Sequence, residues 1–467
     1  MPLASFAQRF PHLTPLLKLA APLSVIQFGQ MAMGLTDTAL LGRVSPSHLA
    51  ASGIGNSIFF AVMIFGLGVC LGCETLVSQA VGKDDHDAAY LHTRQGMIVA
   101  VAVAIPCLLV LWLALQGVAF LGLDDEVVGL TRSYVYGRFP GIFGFFFYIV
   151  QRNYVQAYGL TKPAWIATVV ANLVNVVADS LLIFGDDALR YVGLEGVGLP
   201  GYGAAGAGVA TSICAWVQVL VLVPAVQILL RDKDFTPGPF AEAWRRKGIW
   251  HIVRVGTPVG LQYGMEVGIF ALIALLMGRL STADAAANQI ALNIASSSFS
   301  IVMGVSIATS ILVGQMVGKG DKDATYAYGR AGIVFGGAIM GASGVVLFFF
   351  PEALVLIFTD DSSTEVIAKS VVLVQIAAAF QLGDGIQAVA CGALRGAGDT
   401  DAAFLGNVFA YWVVGFPVAL FLAYHLEWGG VGLWWGLTVG LWAAAFALAW
   451  RFLRRARTYE AVIDEVL

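Results

Sequence analysis

Charged residues are scarce in this chain. Asp, Glu, Lys and Arg make up 12% of its 467 residues, whereas an average soluble protein has about a quarter. Hydrophobic residues account for 58% of the chain and the mean hydropathy is +0.81, so a soluble globular fold is excluded. One bilayer crossing takes ~20 apolar residues, which leaves no room for a large soluble domain. We therefore expect a polytopic membrane protein embedded in a lipid bilayer.

Basic clusters, cysteines and metal motifs are also few. The net charge is −4, and a nucleic-acid partner would require a clustered basic face. The five cysteines lie in apolar runs and indicate no disulfide framework. The single CxxC, Cys70 and Cys73, lacks the further ligands of a zinc site. An intramembrane enzyme with paired carboxylates would need a motif such as HExxH or an Asp pair in consecutive helices, and the sequence has neither. We expect neither an enzyme nor a cofactor.

Twelve apolar stretches are long enough to cross a membrane. They are bounded by charged residues or by glycine and proline, and they predict an all-α fold with twelve transmembrane helices. The predicted spans are 15–41, 50–78, 95–121, 134–157, 163–184, 203–230, 250–278, 288–316, 331–358, 367–393, 402–424 and 430–450.

Basic residues alternate between the predicted loops. Cytoplasmic segments of membrane proteins are enriched in Lys and Arg. With both termini inside, the inner segments contain twenty basic residues, and the outer side and its helix ends contain six, namely Arg43, Arg132, Arg138, Arg190, Arg279 and Lys369. This asymmetry predicts a multi-pass protein of the cytoplasmic, or inner, membrane with both termini in the cytoplasm.

The sequence repeats itself at an offset of 236 residues. Pro22 matches Pro258, and the segments 79–96 and 315–332 share Gln, Val-Gly-Lys, two Asp, Tyr, Arg and Gly at equivalent positions. The chain is therefore predicted to consist of two parallel six-helix repeats: an N-lobe at 1–230, a cytoplasmic linker at 231–249, and a C-lobe at 250–467 that ends in a basic tail. Parallel repeats are a transporter architecture, with substrate bound between the halves.

Four carboxylates lie inside the predicted spans, where an ionisable group costs several kcal/mol. They are Asp37, Asp179, Glu266 and Asp384. A buried carboxylate without a basic partner is either protonated or bound to a cation. Either state couples the protein to an ion gradient. The alternative is a carboxyl group that stays protonated and serves only as a hydrogen-bond donor.

Polar neighbours accompany the acids. Asn172, Asn175 and Asp179 share one helix face, and oxygen ligands of this kind suit a hard cation such as Na⁺. Asp37 and Thr211 complete the shell if their helices converge.

The second half carries its own polar stripe. Gln262 precedes Glu266 by one turn, and Gln381, Asp384 and Gln387 recur every three residues. The acids are not shared between the repeats, which indicates that the ionisable sites specialised separately.

Six segments resemble the multidrug and toxic compound extrusion family. They are GLTDTALLGRVS at 34–45, ETLVSQAVGKDD at 74–85, NLVNVVADSLL at 172–182, YGAAGAGVAT at 202–211, PVGLQYGMEVGIF at 258–270 and DGIQAVACGALRGAGDT at 384–400. They occur in order, and the resemblance extends over nearly the whole chain.

This resemblance implies a twelve-helix antiporter that exports small-molecule organic cations or drugs in exchange for Na⁺ or H⁺. It assigns a cation site to the N-lobe and two acids of the NorM-like branch to the C-lobe; the first set is Asp37, Asn175, Asp179 and Thr211, and the second is Glu266 and Asp384. Pro22 matches a helix proline whose bending is linked to protonation of the nearby acid. Phe380 departs from the tyrosine of some Na⁺-coupled members.

A lipid-linked precursor flippase of the same superfamily is the alternative function. Such a protein should have a basic cavity for pyrophosphate, whereas the charges inside the predicted spans are acidic. The resemblance implies no cofactor beyond the coupling ion, and a monomer is expected.

Overall fold

The computed structural model describes residues 12–191, 193, 195–196, 198–232, 240–359 and 363–465. In these ranges the regular structure is entirely helical, which confirms the predicted all-α fold. The twelve long helices are α1 Leu13–Leu41, α2 Pro46–Gly82, α3 His86–Gly117, α4 Asp125–Ala157, α5 Lys162–Phe184, α6 Gly203–Asp232, α7 Arg246–Leu280, α8 Thr282–Lys319, α9 Lys322–Phe349, α10 Thr364–Ala397, α11 Thr400–His425 and α12 Gly429–Arg455.

Eleven of these helices are long and apolar enough to span a membrane. The remaining one, α4, is more polar because it contains several tyrosines and arginines. Its 33 residues correspond to roughly 50 Å at 1.5 Å per residue, which exceeds the thickness of a bilayer core. It packs against α2 and α6 within the first six helices, so burial in the bundle compensates for its lower hydropathy.

Several helices begin earlier than the sequence patterns predicted. The third was expected from 95 and begins at His86, because the Asp85 carboxylate accepts a hydrogen bond from the Ala88 N–H at 2.9 Å. The ninth was expected from 331 and begins at Lys322, where Asp321 caps the helix in the same way. The predicted starts relied on hydropathy, whereas capping lets a helix continue into polar flanking residues.

The predicted linker, 231–249, is only partly described, since positions 233–239 lie outside the described residues. Positions 1–11 also lie outside the described residues. Two of the basic residues counted above are therefore not described, Arg9 at 1–11 and Lys233 at 233–239. After the gap, a short 3₁₀ turn at Phe240–Trp244 leads into α7 at Arg246, so α7 begins within the predicted linker. The exact bounds of the two lobes remain a prediction.

The two six-helix halves meet at one end of the bundle. We name the end where α1 begins and α12 ends the basal end, and the opposite one the distal end. At the basal end Gly82 of α2 lies against the Gln315 carbonyl of α8, and Gly318 of α8 lies against the Gln79 carbonyl of α2. These residues are related by the 236-residue offset, so the contact is reciprocal, as it is across a two-fold axis.

Further contacts between the halves surround this crossing. Gln79 donates to the Gly396 carbonyl of α10 at 3.1 Å, and Gln315 donates to the Ala157 carbonyl of α4 at 2.6 Å. The backbone N–H of Val462, in the tail after α12, donates to the Gln79 side-chain oxygen at 2.8 Å. The tail is therefore attached across the seam between the halves at the basal end.

Alanine at both crossing glycines should open the basal end. A methyl group at Gly82 or Gly318 would collide with backbone oxygen, and overpacking costs about 1–3 kcal/mol. We expect a Ser78→Cys reporter, which replaces a fully buried residue of α2, to react with a maleimide at least about tenfold faster in the Gly82→Ala, Gly318→Ala protein. Unchanged labelling would show that the contact does not close this end.

The matched control for this experiment is Gly264→Ala in α7, where a methyl group would meet nothing within 4 Å. It should leave the labelling of the reporter unchanged. The five native cysteines are buried, and they are replaced in every variant so that only the reporter thiol reacts.

Candidate functional site

The first polar cluster lies where α1, α5 and α6 converge near the distal end. The amide nitrogen of Asn175 donates to Asp37 Oδ1 at 3.0 Å and to Asp179 Oδ2 at 2.7 Å. The Thr211 hydroxyl donates to Asp37 Oδ2 at 2.9 Å. The structure therefore brings together all four residues that the sequence assigned to the N-lobe cation site.

This cluster is enclosed by protein. Asp37 is 5% exposed, Asn175 1% and Asp179 0%. Asn175 Oδ1 and Asp179 Oδ1 are buried and have no hydrogen-bond partner in the described part of the chain. Two neighbouring carboxylates in such a place cannot both be bare anions, so a proton or a cation has to neutralise them. The unpartnered oxygens are the groups available to bind it.

Both acids lie near the distal ends of their helices, as in the predicted spans 15–41 and 163–184. Asp37 is four residues from the end of α1, and Asp179 is five from the end of α5. Neighbouring helices bury both side chains. The described residues contain no group of three or more His, Cys, Asp or Glu that could hold a metal ion. The polar partners of the two carboxylates are instead the Asn175 amide and the Thr211 hydroxyl.

Two residues predicted to act with this cluster lie elsewhere. Asn172 donates to the Gly29 carbonyl at 3.0 Å and to the Thr168 carbonyl at 2.8 Å, so it joins α5 to α1 about two turns away from the acids. Pro22 lies inside an unbroken α1. Near it, the Ser24 hydroxyl donates to the Ile301 carbonyl of α8 at 2.8 Å, which places the predicted hinge beside the contact between the halves.

The second polar cluster lies between α7, α10 and α11. Glu266 Oε1 accepts hydrogen bonds from Gln262 at 3.2 Å and from Gln387 at 2.8 Å. Asp384 is within electrostatic range of Glu266. Gln381 is not part of the cluster, since its amide donates to Ser298 at 2.7 Å and to the Ala295 carbonyl at 3.3 Å. It joins α10 to α8.

The sequence patterns missed two members of this second cluster, Asn407 and Tyr411. Asn407 accepts from Gln387 at 2.9 Å and donates to the Cys391 sulfur at 3.3 Å. Tyr411 is 3% exposed and within electrostatic range of Glu266 and Asp384. Tyr411 lies in a π-helical stretch, Phe409–Gly415, and such stretches occur frequently at functional sites.

The departure at Phe380 has a simple structural account. Its ring lies 6.1 Å from that of Phe270 and 6.2 Å from that of Trp434. It is 6% exposed and packs in an aromatic group next to the second cluster.

A buried ion pair links the two halves below the clusters. Arg395 Nε of α10 lies 3.4 Å from Glu74 Oε1 of α2, and their side chains are 4% and 1% exposed. A second guanidinium nitrogen of Arg395 donates to the Tyr263 hydroxyl of α7 at 3.1 Å. The Thr75 hydroxyl donates to the Arg395 carbonyl at 2.9 Å. The pair therefore depends on the halves being in contact.

Comparison with known proteins shows where this architecture belongs. The MatE family model matches residues 22–181 and 258–421, and the two matches begin 236 residues apart. A protein of Pseudomonas putida named probable multidrug resistance protein NorM is 35% identical over 448 residues, with 94% of each chain covered. The multidrug resistance protein NorM of Burkholderia vietnamiensis is 32% identical over 454 residues, again with 94% of each chain covered.

Solved structures share the fold. The eukaryotic MATE transporter AtDTX14 superposes with a TM-score of 0.82, at 23% identity and with 96% of this chain and 98% of that chain covered. The arrangement as two six-helix lobes is thereby confirmed. Because the family model matches both halves and the relatives match nearly the whole length, this membrane protein belongs to the MatE family of transporters.

Proposed function

We propose that the protein is a secondary active multidrug antiporter, which exports organic cations in exchange for Na⁺ or H⁺. The observation that carries the proposal is the enclosed Asp37–Asn175–Asp179 cluster. Its two carboxylates need a neutralising charge, and the supply of that charge depends on the ion gradient. The relatives named multidrug resistance proteins support drugs as the cargo.

Transport of the drug is coupled to the ion because both are attracted by the same negative charge at the acid pair. A proton or Na⁺ at the acid pair neutralises the charge that attracts an organic cation, so each ligand weakens the binding of the other. The ion gradient can drive export only if the coupling ion and the drug bind the two conformations differently. Alternating access between the lobes, numbered 1–230 and 250–467, would provide those two conformations.

The orientation is part of the same proposal. The basal end carries most of the basic residues, so it faces the cytoplasm of a bacterial inner membrane, with both termini inside. Because the halves touch at the basal end, this conformation of the protein is closed to the cytoplasm. The protein works as a monomer, since each chain contains both halves of the transport path.

The lipid-precursor flippase is the less favoured function. Its pyrophosphate ligand would be repelled by the acids Asp37, Asp179, Glu266 and Asp384. The organic-cation proposal accounts for those four acids, and the flippase does not.

The experiment that tests the proposal compares two gradients. Vesicles containing the protein are loaded with a fluorescent organic cation, and efflux is driven separately by a Na⁺ gradient and by a pH gradient. We expect at least one gradient to drive efflux. If neither moves the dye from a folded protein, drug antiport is wrong and the flippase becomes the function to test.

Glu266→Gln shows whether the C-lobe cluster takes part in coupling. The amide keeps the size of the side chain but has neither a negative charge to neutralise a cation nor a proton to release. We expect the efflux rate under the effective gradient to fall at least about tenfold, since a hydrogen bond to a charged group contributes about 1.5–3 kcal/mol. The control is Asp401→Asn, an exposed acid at the start of α11. Equal rates in the Glu266→Gln and control proteins would exclude the C-lobe acid from coupling.

A further inference from the structure

Arg152 is a buried cation in the first six helices that neither acid cluster includes. It lies five residues before the end of α4, towards the basal end, and is 5% exposed. Its guanidinium carbon lies 5.6 Å from the centre of the Tyr148 ring, a cation–π contact. Its Nε is buried and has no hydrogen-bond partner in the described part of the chain. Arg152 therefore holds a positive charge in a place that is almost closed to solvent.

The protein does not provide a counter-charge for Arg152. No carboxylate of the described residues lies within ion-pair distance of its guanidinium. Glu74, the buried acid of the neighbouring helix α2, is paired with Arg395 of α10 instead. An arginine does not lose its proton in a protein, so Arg152 cannot become neutral. Because buried charges are paired, an anion from solution is the partner that remains.

Two amide side chains accompany Arg152. Asn153 follows it in the chain, and Gln156 lies one turn further along the same face of α4. They are 0% and 1% exposed, and the side-chain nitrogen and oxygen of each have no hydrogen-bond partner within the described ranges. Nearly all buried polar groups in proteins are hydrogen-bonded. The two amide nitrogens and the Arg152 Nε are therefore donors available to an anion at this place.

We propose that Arg152, with the amide nitrogens of Asn153 and Gln156, forms a binding site for a small inorganic anion, chloride. The enclosure of all three side chains selects a small ion, because a larger anion would require the packed helices to separate. Bound chloride neutralises the guanidinium and accepts hydrogen bonds from the amides. The site is separate from both acid clusters and close to the hydrogen bond between Gln315 and the Ala157 carbonyl, so the anion stabilises the basal end of the first lobe.

Thermal unfolding of the purified protein tests this site. Chloride replaces gluconate, an organic anion larger than the site admits, at constant Na⁺ concentration and constant ionic strength. A ligand that binds only the folded protein raises its Tm once the ligand concentration exceeds the Kd. We expect the Tm of the parent to rise by roughly 2 °C at a chloride concentration of about 100 times the Kd. A parental Tm that does not change with chloride would overturn the inference.

Arg152→Gln separates anion binding from packing. We expect the Tm of this variant to be independent of chloride, because the charge that binds the anion is gone. In gluconate its Tm should equal or exceed that of the parent, since the variant buries no unpaired charge. If Arg152 is only structural, the substitution lowers the Tm by the same amount in both anions, and the inference is wrong.

Arg132→Gln is the matched control. Arg132 lies on the same helix near its distal end, and its Nε donates to the Leu115 carbonyl at 3.1 Å. This variant should show the same rise of the Tm with chloride as the parent. If it loses that rise as Arg152→Gln does, the effect belongs to the overall charge of α4 and the inference is wrong.

A direct measurement decides if Arg152→Gln does not fold. Crystals of the parent are grown with bromide in place of chloride, and the anomalous scattering of bromide locates the ion. We expect a peak at hydrogen-bond distance from the Arg152 guanidinium, and crystals without such a peak would overturn the inference. Both measurements are made without drug or ion gradient, so their outcome is independent of the proposed export function.

Discussion

Asp37→Asn is expected to abolish gradient-driven efflux while leaving the protein folded. The amide matches the carboxylate in size, and its single oxygen can still accept one of the two hydrogen bonds, from Asn175 or from Thr211. It removes one of the two charges that need neutralising, so the coupling ion loses its preference for this site. A ligand without differential affinity for two conformations cannot shift their populations. Efflux should then be no faster with the gradient than without it.

The control for Asp37→Asn is Asp187→Asn, an acid 81% exposed shortly after α5. It should transport as the parent does. Thermal unfolding in detergent shows whether both proteins are folded. Gradient-driven efflux by a folded Asp37→Asn protein at the parental rate would refute the assignment of coupling to the first cluster.

Glu74→Gln is expected to release the contact between the halves at the basal end. It leaves the Arg395 guanidinium buried without a counter-charge, and breaking one partner of a buried pair costs about 3–5 kcal/mol. This destabilisation is present only while the halves are in contact, so the equilibrium between contact and separation of the halves shifts towards separation. Since about 1.4 kcal/mol is a factor of ten, labelling of the Ser78→Cys reporter should accelerate at least about tenfold.

A double variant separates charge from packing. In Glu74→Gln, Arg395→Met the isolated buried charge is gone, and apolar replacement of a buried pair is often neutral. Labelling should return towards the parental rate. If the double variant opens as far as Glu74→Gln, the effect comes from lost packing around Arg395 and the ion pair does not control closure.

The twelve helices were predictable because hydropathy and loop charge are local properties of the sequence. The starts of the helices were less predictable. In α3, for example, the sequence pattern placed Asp85 in a loop, whereas in the structure its carboxylate caps the helix. The repeat was predictable from matched positions, and its meaning became visible in the reciprocal contact of Gly82 and Gly318.

The acids of both clusters were predictable because an unpaired carboxylate in an apolar run is costly. Asn175 and Thr211 followed from helix spacing and from resemblance. Tyr411 and Asn407 were not identified, since tyrosine and asparagine in a span carry no strong signal and only the packing of α11 on α7 and α10 brings them to Glu266. Arg138 was assigned to a helix end because the true start of α4 was not visible.

The central claim is that drug and coupling ion compete at the acid pair. The most direct measurement is the Kd of a cationic dye, a rhodamine methyl ester, for the purified parent and for the Asp179→Asn protein. This Kd is measured at a series of Na⁺ concentrations and at a series of pH values. By linkage, the account predicts that the parent binds the dye more weakly as either Na⁺ or H⁺ increases, and that Asp179→Asn loses this dependence. A parent whose affinity ignores both ions, or a variant that keeps the parental dependence, would contradict the account.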